Sequence, residues 1–301
     1  MQLPDSCLAP SPSAQGKSWF KKMSSPITST GSLPIREQAS IFQQVGLLKA
    51  VEDTYGGVKV DIEEPMDSDV YVPLLRASIS QWRQQGVKGV WIKLPIKLAN
   101  LVEPTVKEGF RYHHAESDYL MLVYWIPETP DTLPANASHT VGIGAFVMND
   151  SREVLVVQEK NGVFKNKDVW KFPTGVANQG EDISTAAIRE VKEETDIDTE
   201  FVEILAFSQT HMGFCGKSDL FFVCMLRPLS FDINKQDSEI KAAQWMPIEE
   251  YMAQPYINKH ESFKYVAKIC SSKARNHYSG LCPVPTMSSS GKKTFTYINK
   301  L

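Results

Sequence analysis

The sequence predicts an α/β protein built from two domains. The chain has 301 residues, more than the roughly 100 to 200 residues of a typical single domain. Helical and strand patterns alternate from about residue 36 to residue 127, three prolines then interrupt the pattern, and apolar strands resume after residue 138. We therefore predict a disordered N-terminal tail (1–34), an α/β domain (35–130), a second domain (138–268) and a C-terminal tail (269–301).

Net charge and hydropathy limit the classes of binding partner that we expect. The net charge of -3 and the pI near 6.1 leave no basic stripe for a nucleic-acid backbone. No apolar run approaches the roughly 18 to 20 residues that a membrane span needs, and mean hydropathy is -0.25. We expect a soluble protein that binds neither polymeric nucleic acid nor a membrane.

The cysteines and the N-terminal tail bear on the compartment. Five cysteines lack any C-x-x-C spacing, which favours reduced thiols over disulfides or zinc: Cys7, Cys215, Cys224, Cys270 and Cys282. The Ser- and Pro-rich tail lacks arginine and an apolar signal core. We expect a cytoplasmic protein. The alternative is a plastid or mitochondrial protein whose N-terminal tail is a transit peptide.

The first domain should contain three helices and three strands. The first helix is expected to end at Gly56 and Gly57, the second to begin at Pro73 and stop at Gly86, and the third to end at Gly109. Apolar runs predict the strands 58–62, 89–95 and 117–127.

The second domain should begin with two strands joined by a turn, 139–149 and 153–160. The segment VWKFPTG then leads to Gly175 and a helix, followed by strands over 201–211 and 218–229 and by QWMPIEEY, a last strand turning into a helix. The late run KTFTYIN fits a further strand or an ordered arm.

The segment Gly175 to Ile197 carries the chemistry. Glu190, Glu193 and Glu194 are spaced at i, i+3 and i+4, so a helix projects them together. Their repulsion is relieved by a hard divalent cation, Mg²⁺ or Mn²⁺, bridging the oxygens.

The rest of this helix supports that interpretation. Ile183, Ala187 and Val191 recur every four residues and can pack inward while the glutamates point outward. Asp182 is a plausible N-cap, and Arg189 is placed to pair with Glu181. The alternative is a merely solvated helix face, which would not require the loop glycine and Glu181 at their offsets.

The spacing resembles the Nudix box: glycine, five residues, glutamate, seven residues, then Arg-Glu-apolar-x-Glu-Glu. One departure is Asp196, where the family usually has glycine in left-handed geometry, and we expect it to lower stability without affecting catalysis. The resemblance implies a Nudix α/β/α sandwich over 138–268. The first domain resembles the acyltransferase-like pre-Nudix domain, which raises a second activity as an alternative. Its sequence has no glycine-rich pyrophosphate-binding turn to hold coenzyme A, so we expect a scaffold or a dimerisation surface.

The resemblance also implies residue roles. Glu190 and Glu194 are the expected metal ligands, Glu193 a ligand or base, Glu181 a supporting ligand, and the Gly175 carbonyl a further ligand. Arg189 would orient a glutamate. The general base stays open, with Glu239 and His211 as loop alternatives outside the box.

The flanking segments resemble those of the plant Nudix hydrolases that cleave ADP-ribose and NADH. That resemblance implies Mg²⁺-dependent P–O–P hydrolysis by a homodimer, giving AMP plus ribose 5-phosphate or reduced nicotinamide mononucleotide. The alternatives are another diphosphate (an oxidised nucleotide, coenzyme A or an isoprenoid diphosphate) or a nucleotide-binding regulatory protein. Four aromatic residues are possible adenine platforms or core: Phe164, Trp170, Phe214 and Phe221.

Overall fold

The computed structural model describes residues 46–165, 167–211, 213 and 216–299. The chain divides into two compact units between Pro134 and Ala135, inside the segment 128–138 that we predicted as a linker. The predicted disordered tail, 1–34, lies outside the described residues.

The first unit is a five-stranded sheet in the order β1-β2-β3-β5-β4. β2 and β3 are parallel, and the other neighbours are antiparallel. Tyr71, Leu75, Ile92 and Leu122 share its buried core. The elements are β1 (Val51–Glu52), β2 (Val58–Asp61), α1 (Ser68–Gln84), β3 (Gly89–Pro95), a 3₁₀ helix (Ile96–Leu101), α2 (Val102–Lys107), β4 (Arg111–Ala115) and β5 (Tyr119–Trp125).

Two predictions for this unit were wrong in detail, and one strand was missed. The helix expected up to Gly57 is absent from the described residues 46–57, because Asp53 accepts the backbone N–H groups of Tyr55 and Gly57 and closes a turn between β1 and β2. Helix α1 begins before Pro73, since the buried Tyr71 already belongs to its apolar face. β4 was not predicted.

The second unit contains a four-stranded sheet in the order β8-β6-β10-β9 and two two-stranded sheets, β11-β7 and β12-β13. Its strands are β6 (His139–Val147), β7 (Glu153–Glu159), β8 (Thr174–Val176), β9 (Thr199–Thr210), β10 (Ser218–Pro228), β11 (Ile240–Pro247), β12 (Cys282–Met287) and β13 (Lys293–Ile298). Its helices are α3 (Ile183–Thr195), α4 (Ile248–Ala253), α5 (Pro255–Lys259) and α6 (Glu261–Ala274).

Alternate residues of β6 enter two different cores, as expected for a strand covered on both faces. Ile143 and Ala145 join the core under helix α3, whereas Phe146 joins the core that holds Tyr251 of α4 and Cys270 of α6. The sheet therefore lies between two helical layers, which confirms the α/β/α sandwich.

Helix α3 is the predicted helix of the glutamate cluster. Ala187 and Val191 are fully buried, which confirms the inward face. Asp182 occupies the N-cap position but makes no side-chain capping hydrogen bond. Asp196 ends the helix at φ 62°, the left-handed geometry that we expected at this position because the family usually has glycine there. Its carboxylate pairs with Lys192 at 2.7 Å.

The C-terminal segment is part of the fold. Helix α6 crosses residue 269, where we placed the start of the tail, because Ala267 and Cys270 on one of its faces are buried. Beyond it, Leu281 bridges to Ile204 of β9, and β13 corresponds to the strand, one of the two alternatives given for KTFTYIN.

Two further predictions meet the described part of the chain. Cys224, Cys270 and Cys282 are free thiols, as expected, while Cys7 and Cys215 lie outside the described residues. Among the described helices, none has both the length and the apolar character needed to cross a membrane.

Candidate active site

Arg189 is the centre of the acidic cluster. Its Nε and Nη2 donate to the two oxygens of Glu181 at 2.8 and 2.9 Å, which confirms the predicted pair. Its Nη1 donates to Glu190 at 2.7 Å and to Glu193 at 3.1 Å. One guanidinium therefore holds three of the four carboxylates of the box, and it also donates to the Val176 carbonyl at the end of β8 at 3.0 Å.

Glu194 differs from the other glutamates because it points inward. The residue is 6% exposed, against the expectation that all three helix glutamates project into solvent. Its Oε1 accepts the Thr174 backbone N–H at 3.4 Å, and its Oε2 is buried with no hydrogen-bond partner among the described residues. A buried carboxylate oxygen without a partner is costly, and a cation is the ligand that would satisfy it.

Gly175 is required by the position of Glu190. A Cβ built on Gly175 would lie 1.8 Å from the Glu190 carboxyl carbon and about as close to both oxygens. Only glycine lets the strand β8 and the Glu190 carboxylate approach this closely. The glycine of the box thus makes room for the carboxylate.

Glu181 and Glu194 have pKa values shifted in opposite directions. The hydrogen bonds from Arg189 and from the Asn178 backbone outweigh burial and lower the pKa of Glu181 to about 2. Burial raises the pKa of Glu194 to about 7, opposed by the charge of Lys171 and by the Thr174 N–H. Glu181 is a fixed anion, whereas Glu194 stays charged more readily when a cation is nearby.

Across the described ranges, no three acidic, histidine or cysteine side chains converge closely enough to hold a metal ion in this arrangement. The physical reason is Arg189, which draws Glu181, Glu190 and Glu193 toward itself. The donor set nevertheless fits a divalent cation. Three carboxylates surround one guanidinium, the donors are hard oxygens, and the buried Glu194 on the same helix has an oxygen without a hydrogen-bond partner among the described residues.

A cavity of about 290 Å³ opens beside Glu194. Three of its seven lining residues are glutamates, and the lining consists of Glu159, Asn161, Gly162, Thr174, Glu194, Glu239 and Ile240. The loop acid Glu239 therefore lies on the same cavity as Glu194, whereas His211 pairs with Ser218 at 2.9 Å and is not part of its lining.

Sequence reasoning missed Lys171 and Glu159. Lys171 is 5% exposed, its Nζ lies 2.8 Å from Glu159 Oε1, and it also contacts the Thr174 hydroxyl. The available signal was a lysine between two aromatic residues in VWKFPTG, just ahead of Gly175. A lysine in such an apolar segment is expected to be buried and paired with an acid.

The aromatic residues have ordinary packing roles. Phe164 contacts Tyr256 edge-on with ring centroids 5.2 Å apart, and the backbone of Trp170 pairs with Gln254. The ring of Phe221 covers Gly142 and Gly144, where an added Cβ would come within 2.9 Å of it. Phe214 lies outside the described residues.

Comparisons with known proteins cover both units. A model of the Nudix hydrolase domain matches residues 48–126, and a model of the NUDIX domain matches residues 138–268. "Nudix hydrolase 2" of Arabidopsis thaliana is 62% identical over 238 residues, 79% of this chain and 86% of that protein. "Nudix hydrolase 7" of the same plant is 59% identical over 259 residues, 85% of this chain and 92% of that protein.

More distant similarity extends to other organisms. The human "Nucleoside diphosphate-linked moiety X motif 6" is 40% identical over 206 residues, 66% of this chain and 64% of that protein. Among solved structures, a NUDIX hydrolase from Nitrosomonas europaea aligns with a TM-score of 0.38 and 23% identity, over 46% of this chain and 90% of that one.

Proposed function

The chain belongs to the Nudix hydrolase family of plants, and we propose that it hydrolyses the pyrophosphate bond of ADP-ribose and NADH in a Mg²⁺-dependent reaction. Water would be added across the P–O–P bond, giving AMP and ribose 5-phosphate from ADP-ribose, or AMP and reduced nicotinamide mononucleotide from NADH. The observation that carries the proposal is the complete acidic cluster around Arg189, with a buried unpartnered oxygen on Glu194.

Glu190 and Glu194 are the proposed metal ligands, with Glu193 as a ligand or base. A bound Mg²⁺ would supply charge neutralisation on the diphosphate and a water of lowered pKa, and Mn²⁺ has the same ligand preference. The Gly175 carbonyl is a further proposed ligand.

Glu181 needs a separate argument. Both of its oxygens accept hydrogen bonds from Arg189, so a role as supporting ligand would require this ion pair to open. In the closed pair, Glu181 holds Arg189, which in turn holds Glu190 and Glu193. We therefore propose that the contribution of Glu181 to metal binding is exerted mainly through Arg189.

The choice of substrate rests on the resemblance of the flanking segments to the plant Nudix hydrolases that cleave ADP-ribose and NADH, since the box identifies the scissile bond and leaves the two flanking groups open. Three mutually repelling carboxylates on one helix serve a metal-dependent hydrolase and have no use in a protein that only binds a nucleotide. The order of preference between ADP-ribose and NADH is read directly from the assay below.

The test compares the wild-type protein with a Glu193→Gln/Glu194→Gln variant. Each is incubated with ADP-ribose, NADH, an oxidised nucleotide, coenzyme A and an isoprenoid diphosphate, with Mg²⁺ or with EDTA, and products are separated by chromatography. We expect Mg²⁺-dependent AMP release from ADP-ribose and NADH, and a loss of at least about 100-fold in the variant, as for removal of a central electrostatic group.

A matched control is Glu249→Gln, which removes an exposed carboxylate that pairs with Arg152 far from the box in sequence. It should retain wild-type rates. Absence of metal-dependent AMP release from both substrates would overturn the proposed function. Turnover that survives in the double variant would instead overturn the assignment of the site.

A further inference from the structure

We infer that His113 and His114, two neighbouring residues of β4, form a binding site for a transition-metal cation such as Zn²⁺, with the Nδ1 atom of each ring as a ligand. The site lies in the N-terminal unit, whereas the glutamates of the box belong to the other unit. Neither the ligands of this site nor its test depends on the proposed function.

A β-bulge brings the two histidine side chains to one face of the sheet. Successive residues of a regular strand point to opposite faces. Strand β4 departs from this rule because Tyr112 and His114 pair with consecutive residues of β5, so that His113 is an extra residue. The two rings therefore lie side by side with their centroids 5.0 Å apart, and His113 is edge-on to Trp91 of β3. Bulges that redirect a side chain in this way are frequent next to functional sites.

The Nδ1 atoms of the two rings face each other at 2.7 Å. A neutral imidazole carries its one proton on Nδ1 or on Nε2, and the other nitrogen then presents a lone pair. Two Nδ1 lone pairs at this distance repel each other, so a positive group has to lie between them. Either a proton on one Nδ1 or a metal cation bound by both satisfies this condition.

The second nitrogen of each ring is held by a fixed partner. His113 Nε2 lies 2.8 Å from the Pro134 carbonyl, which can only accept, so in the neutral ring the proton is on Nε2 and the lone pair is on Nδ1. His114 Nε2 lies 3.2 Å from the Tyr119 hydroxyl, which can donate or accept. A histidine that binds a metal usually donates its other ring N–H to a carbonyl or a similar acceptor. Both rings therefore have the outer contact that a metal ligand needs.

The Tyr119 hydroxyl lets His114 exist in either tautomer. Without a metal, the hydroxyl donates to His114 Nε2, and the Nδ1–H of His114 donates to His113 Nδ1. With a metal bound at both Nδ1 atoms, the proton of His114 is on Nε2 and is donated to the Tyr119 oxygen. The protein neither gains nor loses a proton in this exchange, because one proton moves between two nitrogens of the same ring.

The donor atoms select the class of cation. Imidazole nitrogens suit Zn²⁺ and similar transition metals, whereas Mg²⁺ prefers oxygen. Zn–N bonds of about 2 Å at a tetrahedral angle place two nitrogens about 3.3 Å apart. The Nδ1 atoms, 2.7 Å apart without the ion, need to separate by only about 0.6 Å. Two protein ligands are fewer than the four of a structural zinc site, so water completes the coordination and the ion is exchangeable.

Two cationic side chains of the same sheet are engaged by other groups. Arg111 of β4 pairs with Asp131, and the Lys93 ammonium lies 4.5 Å from the centroid of the Tyr119 ring. The carboxylate and the face of the aromatic ring balance part of these charges. The sheet therefore opposes a bound cation less than two uncompensated positive side chains would.

The first test measures the affinity of the full-length protein for Zn²⁺. The protein is freed of metal with EDTA, dialysed, and titrated with Zn²⁺ in an excess of Mg²⁺, in competition with a chromophoric chelator. Tyr119→Phe should weaken binding about tenfold, the usual effect of removing an outer contact of a metal ligand. His113→Gln and His114→Gln should each weaken it by more than that, because each removes a ligand.

Two control proteins separate this site from other ligands. His277→Gln removes an exposed histidine of the second unit and should keep the wild-type affinity for Zn²⁺. The Glu193→Gln/Glu194→Gln variant should also keep it, because these glutamates are not ligands of this ion. Equal affinity in the wild type and in both histidine variants would overturn the inference. Loss of the ion in the glutamate variant would overturn it as well.

The second test observes the ring protons of the wild-type protein and does not depend on how a variant folds. Nitrogen NMR of protein labelled at histidine distinguishes the two tautomers at mildly alkaline pH, where an ordinary imidazole is neutral. Without Zn²⁺ we expect His113 to carry its proton on Nε2 and His114 to carry it on Nδ1. With Zn²⁺ both rings should carry it on Nε2. A His114 ring that keeps its Nδ1–H at saturating Zn²⁺ would overturn the inference, since only a proton would then lie between the rings.

Discussion

At the scale of single residues, the box works as a set of mutual constraints around Arg189. Glu181 fixes the guanidinium with two hydrogen bonds, and the guanidinium fixes Glu190 and Glu193. Gly175 is part of the same arrangement, because the Glu190 carboxylate fills the volume that a side chain at Gly175 would occupy. The glycine and the arginine therefore both act on Glu190, one by leaving space and the other by a charged hydrogen bond.

Substituting Gly175→Ala should remove activity by displacing Glu190. A Cβ at 1.8 Å from a carboxyl carbon forces the side chain or the strand to move, and the contact with Arg189 at 2.7 Å is then lost. We expect AMP release to fall at least about 100-fold. Steady-state kinetics and circular dichroism on the same preparation would separate this effect from unfolding.

Two further proteins sharpen the Gly175 experiment. Gly46→Ala places its Cβ in ordinary contact with Leu74 at 3.5 Å, so it should leave AMP release unchanged. In the background of Glu190→Gln, adding Gly175→Ala should cost little additional activity, because both changes act on the same carboxylate. Fully additive losses would show that Gly175 acts by another route.

At the scale of elements, the C-terminal helix and the strand β9 are joined by an ion pair between a partly exposed lysine and a buried glutamate. Lys273 of α6 contacts Glu203 of β9, a residue that is 2% exposed. The second Glu203 oxygen accepts the Gly280 N–H at 2.9 Å, so the chain that follows α6 is held against the same strand. The bridge between Ile204 and Leu281 comes directly after this contact.

Lys273→Met should destabilise the protein strongly, because it leaves the Glu203 carboxylate buried without a countercharge. We expect a loss of about 3 kcal/mol in the free energy of unfolding, measured by urea denaturation. Lys268→Met, an exposed lysine one turn earlier on α6, is the matched control and should stay within about 0.5 kcal/mol of wild type.

The Lys273 result gains meaning from a second change. Glu203→Gln added to Lys273→Met should recover part of the lost stability, since the amide no longer carries an unpaired charge. A single variant as stable as Lys268→Met would contradict the assignment of this pair as a structural contact.

Residue spacing within one segment predicted the features that form within that segment. The box predicted helix α3, the Arg189–Glu181 pair and the left-handed residue at Asp196, because all three depend on offsets within one helix and its preceding loop. The contact between Lys171 and Glu159 escaped prediction because it joins two segments through pairing of Val157 with Lys171. The exposure of Glu194 was misjudged for the same reason, because this buried side chain contacts Thr174 of β8, a segment outside the helix.

Prediction failed most clearly where a short polar turn competed with a helical pattern. The apolar spacing before Gly57 is compatible with a helix, but Asp53 bonds two backbone N–H groups within four residues and makes a turn instead. The pairing of β1 with β2 decides between the turn and the helix, and this pairing depends on residues outside the segment before Gly57.

At the scale of the whole molecule, the N-terminal unit is a complete α/β body with its own core, and a Nudix family model matches it separately. We predict that it supports a homodimer. The measurement is light scattering coupled to size-exclusion chromatography, with an expected mass of about twice the 33.8 kDa chain. A mass equal to that of one chain across a tenfold dilution series would contradict this prediction.

The segment after α6 contacts β9, and this contact affects where a fragment of the protein should end. The NUDIX model ends at residue 268, inside helix α6, and β9 lies at the edge of its sheet. A fragment ending at residue 268 would expose the edge of β9 and would leave the Glu203 carboxylate without its partners Lys273 and Gly280. Open edges favour aggregation, so expression of the isolated catalytic unit should extend through Asn299, with any purification tag placed beyond it.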